Sequence, residues 1–158
     1  VLPITDDRMT RFWITLDQAV HFVLMSLQRS NGGEIFVPRI ASMKITDLAT
    51  AIAPDCKQEV IGIRPGEKIH ETLISEDEAR SAVEFQDCFV VQYNADQRDV
   101  LLAQAEKLKG KACPEGFIYR SDSNTEWMTV KELKEMVERI ADDYTIEKSR
   151  FSMTGVSQ

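Results

Sequence analysis

The sequence predicts an α/β fold. Residues 11–63 alternate between strand-like and helix-like segments in the order strand, helix, strand, helix, strand, which is typical of that class. The chain has 158 residues, of which 43% are hydrophobic and 28% charged, enough for one domain with a real core. A dinucleotide-binding fold places a glycine fingerprint after its first strand. Here Gly32 and Gly33 follow a helix instead, so we expect an α/β unit without that turn.

The first strand and the first helix are adjacent. Arg11–Leu16 is rich in β-branched and aromatic residues and predicts a strand. Asp17 then predicts the N-cap of a helix that runs to Arg29 and ends at the glycine pair. The apolar positions on one face of that helix are Val20, Val23, Leu24 and Leu27.

The next three elements complete the alternation. Glu34–Val37 predicts a buried strand that Pro38 stops. Apolar residues at helical spacing predict a helix over residues 45–52, closed by Pro54. Lys57–Ile63 then predicts a short strand.

The remainder is less regular and indicates an appended lobe. Residues 69–74 predict a short helix or an irregular arm. Two capping boxes, Ser75 with Glu78 and Thr129 with Glu132, predict helix starts. Residues 88–91 predict a strand, residues 98–109 a helix that ends at Gly110, and residues 117–119 a short extended piece. We expect residues 1–141 to form one domain and residues 142–158 to form a polar, flexible tail.

Composition excludes several classes of partner. Nineteen basic and 26 acidic residues give a net charge of −7, which argues against nucleic acid. Cys56, Cys88 and Cys113 are too few and too widely spaced for a disulfide framework or a metal cluster, so we expect a reducing, cytoplasmic compartment. No apolar run approaches the ~20 residues of a membrane span. The chain opens on Val1 without a signal peptide, and we expect it to be part of a longer protein.

The turn at Arg64–Glu67 is the strongest candidate for ligand binding. Pro65 favours an extended backbone at Arg64, and Gly66 permits a conformation closed to other residues. A guanidinium can grip phosphate oxygens in bidentate fashion, and a carboxylate can accept hydrogen bonds from sugar hydroxyls. The alternative interpretation is an ordinary turn with a surface ion pair.

Arg11 is a second candidate, because it lies at the start of an apolar strand as Arg64 lies at the end of another. Two arginines that converge on one cleft are a usual way to hold a pyrophosphate. The alternative is two unrelated surface arginines. His21 fits a surface position on a helix, and His70 has no second His or Cys at ligand spacing, so we expect no metal site.

Four ordered segments carry a family resemblance. Pro3–Thr15, Gly33–Pro38, Ser42–Leu48 and Ile61–Glu71 together resemble the C-terminal half of the inverting UDP-N-acetylglucosamine 4,6-dehydratases, members of the extended short-chain dehydrogenase/reductase superfamily. The resemblance is dense over residues 3–92. It continues more loosely through Tyr119, Ser121, Asn124 and Trp127.

The resemblance implies a fold and a reaction. The fold is the substrate-binding C-terminal portion of an extended Rossmann-type enzyme without the cofactor half. The family oxidises C4 of UDP-N-acetylglucosamine with bound NADP, eliminates water across C5–C6 and returns the hydride to C6 with inversion at C5. Its product leads to pseudaminic acid, which bacteria place on flagellin and surface polysaccharide. The full-length enzymes are commonly homo-oligomers.

The resemblance also implies roles for residues. Arg11 and Arg64 would grip the UDP diphosphate, Glu67 would take the uridine ribose, and Arg8 and Met9 would lie beside the same cleft. Phe12 departs from the Asp that many extended members carry after the first arginine. NADP would be bound by the missing N-terminal half, which would also hold the catalytic residues. We therefore expect no catalytic residue in this chain, no turnover by it alone, and an exposed apolar face.

Two other readings remain open. The Arg-Pro-Gly-Glu turn also occurs in related epimerases and retaining dehydratases, so a related nucleotide-sugar enzyme of polysaccharide biosynthesis is the first alternative. A non-catalytic binding module is the second.

Overall fold

The computed structural model describes residues 1–153, with side chains described as far as residue 141. The chain divides into two compact units. The first unit contains Val1–Met9, Met43–Ile69 and the segment that starts at Met128, and the second contains Thr10–Ser42 and His70–Trp127. The single domain expected over residues 1–141 stays a prediction. The tail expected over residues 142–158 falls outside the residues whose side chains are described.

Strands and helices alternate through the chain, which confirms the predicted α/β class. The strands are β1 (Leu2–Ile4), β2 (Thr10–Phe12), β3 (Ile35–Pro38), β4 (Ser42–Lys44), β5 (Gln58–Val60), β6 (Thr72–Ile74), β7 (Ala82–Glu84), β8 (Cys88–Val91), β9 (Lys111–Ala112) and β10 (Tyr119–Arg120). The helices are α1 (Leu16–Arg29), α2 (Ile45–Ile52), α3 (Glu76–Ala79), α4 (Ala95–Lys107) and α5 (Val130–Met153).

The first unit combines a parallel strand pair with two helices. β1 and β5 pair in parallel, with Ile4 opposite Val60. The helices α2 and α5 pack on each other, and Leu133 of α5 is fully buried. The predicted capping box opens α5, since the Thr129 N–H donates to a Glu132 carboxylate oxygen at 2.8 Å and the Glu132 N–H donates to Thr129 Oγ1 at 3.3 Å. The Arg64–Glu67 turn follows β5 in this unit.

The second unit is built on an antiparallel sheet with strand order β3-β8-β7-β9. Each of the four strands is short, and Phe36 pairs with Val90 where β3 and β8 meet. One cluster of buried side chains forms the core beside this sheet: Val37, Ile74, Ala79, Ala82, Phe89, Val91 and Tyr119. The Tyr119 hydroxyl donates to the carbonyl of Ile40 and accepts from its N–H, both at 3.0 Å, so the core also holds the loop after β3.

Several element boundaries differ from the predictions. The N-cap of α1 is Thr15, not Asp17, because the Thr15 side chain accepts the Gln18 N–H while the Gln18 side chain accepts the Thr15 N–H. The arm predicted over residues 69–74 contains strand β6, which pairs with β10. Cys88 is buried and Cys113 half-buried, whereas Cys56 is exposed.

The apolar stripe of α1 is exposed. Val20, Val23, Leu24 and Leu27 each expose more than half of their surface, and α1 has no buried residue. A contiguous apolar helix face of this kind marks a contact surface. The prediction that this chain presents an exposed apolar face is therefore confirmed.

Candidate functional site

The Arg64–Glu67 turn is closed by local bonds. The Glu67 N–H donates to the Arg64 carbonyl at 3.1 Å, and the Arg64 N–H donates to a Glu67 carboxylate oxygen at 3.0 Å. Gly66 has φ +87°, the value that the third position of a type II turn requires. Because glycine adopts that region without strain, the sequence Arg-Pro-Gly-Glu encodes this geometry.

The Arg64 side chain projects from this turn as an exposed cation. Among the residues whose side chains are described, its guanidinium makes no hydrogen bond or ion pair. The surface ion pair with Glu67 that was the alternative interpretation is therefore not formed in the described structure. The Glu67 carboxylate instead holds the backbone of Arg64. The turn presents a guanidinium whose planar fork matches a phosphate group.

Arg8 and Met9, also in the first unit, are less available for ligand contact than Arg64. Arg8 makes a bidentate pair with Asp6, from Nε to Oδ1 at 3.0 Å and from Nη2 to Oδ2 at 2.7 Å. The hydrogen bonds that Arg8 donates to the Asp6 carboxylate raise the pKa of Arg8 above its usual value, so this exposed guanidinium is charged but already paired. Met9 is buried, and its carbonyl accepts the Ile45 N–H at 3.0 Å.

Arg11 lies in the second unit, on β2, and is held by its surroundings. Its Nη1 donates to the Thr10 carbonyl at 2.7 Å. Its Nε lies 3.7 Å from Oε1 of Glu71, and the Arg11 side chain exposes 22% of its surface. The other carboxylate oxygen of Glu71 accepts the Phe12 N–H at 2.9 Å. One carboxylate therefore faces both the side chain of Arg11 and the backbone of the next residue.

A buried polar network supports this arrangement. Ser121 is fully buried, and its Oγ lies 2.7 Å from Thr10 Oγ1 and accepts the Glu71 N–H at 2.9 Å. Thr10 Oγ1 also lies 2.9 Å from Nδ1 of His70. The Ser121 N–H donates to the Glu71 carbonyl at 2.9 Å. Because buried polar groups require partners, these bonds fix β2 against the segments around residues 71 and 121.

Sequence reasoning gave no role to Glu71, Ser121 or Thr10. The available signal was the resemblance, since Thr10 and Glu71 lie in two of the four family-like segments and Ser121 lies in its looser continuation. Ser121 and Thr10 are short polar residues beside apolar ones, a pattern that also fits an exposed strand edge. Their burial is decided by packing between residues 111 positions apart, which a local pattern does not record.

A cavity elsewhere in the second unit contains none of the predicted site residues. It has a volume of about 690 Å³ and lies among α4, the β7–β8 connection and the C-terminal end of α1. Cys88 lines it, but burial raises the pKa of this thiol to about 12. A thiol with that pKa is protonated near neutral pH, so Cys88 is not an activated nucleophile.

Among the described residues, no group of three or more His, Cys, Asp or Glu side chains is arranged to hold a metal ion. None of the described helices combines the length and the apolar character needed to cross a bilayer.

Comparison with known proteins gives matches along most of the chain. A family model described as "Polysaccharide biosynthesis protein" matches residues 1–93. The UDP-N-acetylglucosamine 4,6-dehydratase (inverting) of Campylobacter jejuni subsp. jejuni serotype O:23/36 is 46% identical over 139 residues, which cover 86% of this chain and 42% of that protein. A UDP-glucose 4-epimerase of Rickettsia conorii is 33% identical over 154 residues, covering 94% of this chain and 43% of that protein.

A solved structure supports the fold. The X-ray structure of Pen from Bacillus thuringiensis matches with a TM-score of 0.66 and 26% identity, over 87% of this chain and 39% of that chain. This chain therefore spans about two fifths of the length of these relatives.

Proposed function

This chain belongs to the polysaccharide biosynthesis protein family, and from that premise we propose that it is the nucleotide-sugar-binding, C-terminal part of an inverting UDP-N-acetylglucosamine 4,6-dehydratase. The observation that carries the proposal is 46% identity over 139 residues to a protein of that name. The four ordered segments that resemble these dehydratases lie within residues 1–93, which the family model matches.

Three residues carry the proposed binding role. Arg64 is proposed to contact the UDP diphosphate, because its guanidinium is exposed and uncommitted within the described structure. Glu67, on the same turn, is proposed to accept from the uridine ribose. Arg11 is proposed as a second diphosphate contact, on the resemblance and on its ordered side chain. Arg8 and Met9 stay in the proposal as neighbours of the ligand only.

The cofactor enters the proposal through the family alone. NADP would supply hydride acceptance and return, but the glycines that the structure describes do not fit a dinucleotide cradle. Gly32 and Gly33 have positive φ yet lie between α1 and β3, whereas the cofactor turn lies between a strand and the helix that follows it. We therefore assign NADP to the part of the protein outside this chain and name no catalytic residue here.

Wider features of the proposal follow the resemblance. The product would be the first intermediate towards pseudaminic acid, for flagellin or surface polysaccharide, made in the cytoplasm by a homo-oligomer. The exposed stripe of α1 supports a contact with protein outside this chain, since four apolar side chains there are more than half exposed.

Calorimetric titration with UDP tests the binding role. We expect Arg64→Ala to weaken UDP binding by roughly 10- to 100-fold, the loss of a charge-assisted pair to phosphate. Arg64→Lys should recover only part of it, because an ammonium lacks the planar fork. Arg80→Ala removes another exposed arginine, at the end of α3, and should leave binding unchanged. UDP binding by the unaltered protein that Arg64→Ala leaves intact would contradict the assignment.

A second candidate, a UDP-glucose 4-epimerase, is favoured by the Rickettsia relative at 33% identity. Mass spectrometry of the product of the longest natural polypeptide that contains this chain separates the two. A dehydratase product loses the mass of one water, while an epimerase product keeps the mass of its substrate.

A further inference from the structure

We infer that Glu71 is a positioning residue that sets the orientation of the Arg11 guanidinium for the diphosphate of a nucleotide sugar. This inference rests on the proposed function and adds a residue to it. Neither the family resemblance nor the comparisons give Glu71 a role.

The Glu71 carboxylate makes two separate contacts, one through each oxygen. Oε2 accepts the Phe12 N–H at 2.9 Å, which anchors the carboxylate to β2 one residue beyond Arg11. Oε1 lies 3.7 Å from Arg11 Nε. Since one oxygen is fixed by the backbone, the other has a defined position beside the guanidinium. The Glu71 carboxylate therefore attracts the Arg11 guanidinium from a fixed direction.

The backbone of Glu71 is itself fixed by hydrogen bonds to Ser121. Its N–H donates to Ser121 Oγ and its carbonyl accepts the Ser121 N–H, both at 2.9 Å. Ser121 has no exposed surface and also bonds to Thr10, the residue before Arg11. The network therefore closes from Thr10 through Ser121 to Glu71 and back to Arg11 and Phe12. Such a closed network keeps the carboxylate in place when the ligand is absent.

Binding of a diphosphate requires a defined orientation of the guanidinium. A guanidinium binds phosphate well only when its plane meets two oxygens in parallel. The Thr10 carbonyl, which accepts from Nη1 at 2.7 Å, and Glu71, which faces Nε, act on different edges of the same plane. Ordering a side chain before binding reduces the entropy lost on association. Glu71 also neutralises part of the Arg11 charge, which opposes binding, and we expect the ordering of the side chain to have the larger effect.

The experiment uses the longest natural polypeptide that contains this chain and titrates it with UDP. We expect Glu71→Ala to weaken UDP binding roughly five- to tenfold, since Arg11 loses its orientation. Glu71→Gln keeps an oxygen for the Phe12 N–H and should weaken binding less, by about two- to threefold. Glu126→Ala is the matched control, because Glu126 is an exposed acid that pairs with Arg39 at 3.3 Å in the same unit. It should leave UDP binding unchanged.

A double-mutant cycle separates positioning from a general structural effect. In an Arg11→Ala background, Glu71→Ala should change UDP binding by less than twofold, because the group it positions is gone. A merely structural role would weaken binding by the same factor in both backgrounds. In turnover assays Glu71→Ala should raise KM for the nucleotide sugar and leave kcat unchanged, since the diphosphate is gripped equally before and during reaction.

The measurements distinguish failure of the positioning role of Glu71 from failure of the proposed function. Tighter or unchanged UDP binding in Glu71→Ala, or an equal loss in the Arg11→Ala background, overturns the positioning role. No UDP binding by the unaltered polypeptide overturns the proposed function instead, and the Glu71 inference falls with it.

Discussion

The two segments that carry the proposed ligand contacts are stabilised in opposite ways. The Arg64–Glu67 turn is held by two hydrogen bonds between residues three positions apart, and Arg64, Pro65 and Gly66 are exposed. The Arg11 segment is held by Glu71 and Ser121, which follow it by 60 and 110 positions. The turn therefore forms from its own sequence, while the orientation of Arg11 requires the second unit to be folded.

The largest effect expected from this contrast is on the stability of the second unit. Ser121→Ala removes a buried hydroxyl and leaves the Glu71 N–H without its 2.9 Å acceptor. An unsatisfied buried polar group costs about 1–3 kcal/mol, and the buried Thr10 hydroxyl also loses its 2.7 Å partner, so we expect the free energy of unfolding to fall by about 2 kcal/mol. Both tryptophans, Trp13 and Trp127, lie in the second unit, so urea unfolding followed by tryptophan fluorescence reports on it.

Ser123→Ala is the control for that measurement. Ser123 is exposed two positions further on, and its hydroxyl makes a long 3.4 Å bond to the Arg120 carbonyl. We expect Ser123→Ala to change the free energy of unfolding by less than about 0.5 kcal/mol. Equal effects of the two substitutions would mean that the buried network contributes no more than a surface bond.

The same contrast decides how much could be predicted from sequence. The turn was predicted with its residues, since Pro65 and Gly66 fix the backbone locally and Gly66 has the required φ of +87°. Both capping boxes were predicted for the same reason. The α/β class followed from alternating periodicity, and the family followed from four ordered segments.

The predictions that were wrong or missing concern elements whose partners are distant in sequence, or positions where two neighbouring residues are equally good candidates. Thr15 displaced Asp17 as N-cap because Gln18 completes a capping box with Thr15, and both residues are good caps by themselves. The strand β6 was missed because its partner β10 lies more than 40 residues away. Glu71 and Ser121 were missed because a carboxylate or a hydroxyl in a short segment does not reveal its partner.

The Arg64–Glu67 turn should respond to a change in its own backbone independently of the second unit, as its local hydrogen bonds indicate. Gly66→Ala forces a residue with a side chain into a left-handed conformation, although the space around Gly66 is open. The strain is about 1 kcal/mol. We expect it to appear locally, as roughly fivefold faster hydrogen exchange of the Glu67 N–H, whose acceptor is the Arg64 carbonyl. The fluorescence-detected stability of the second unit should not change.

Gly32→Ala is the control for Gly66→Ala, because it introduces the same kind of backbone strain at a different turn. Gly32 has φ +115° and open space around it, but it lies in the second unit after α1. It should leave the exchange of the Glu67 N–H and UDP binding unchanged. If Gly66→Ala also lowered the stability of the second unit, the turn would not be the self-contained element described above.

The smallest expected effect concerns a local motif inside the second unit, the capping box of α3. The Ser75 N–H and then the Ser75 hydroxyl donate to Glu78 and hold the pKa of its carboxyl below the usual 4.5. Because the folded pKa is lowered, the stabilisation is fully present above about pH 4.5 and is lost as the pH falls through the folded value. Glu78→Gln keeps the cap but not the charge, so we expect it to lower stability by a few tenths of a kcal/mol near pH 6. That difference should disappear in acid.

Glu76→Gln is the control, because it removes an exposed acid from the same turn that makes no hydrogen bond among the described residues. The stability of Glu76→Gln should depend on pH less steeply than that of Glu78→Gln. A Glu78→Gln difference that stayed constant from neutral pH into acid would show that the charge of Glu78 does not stabilise this capping box.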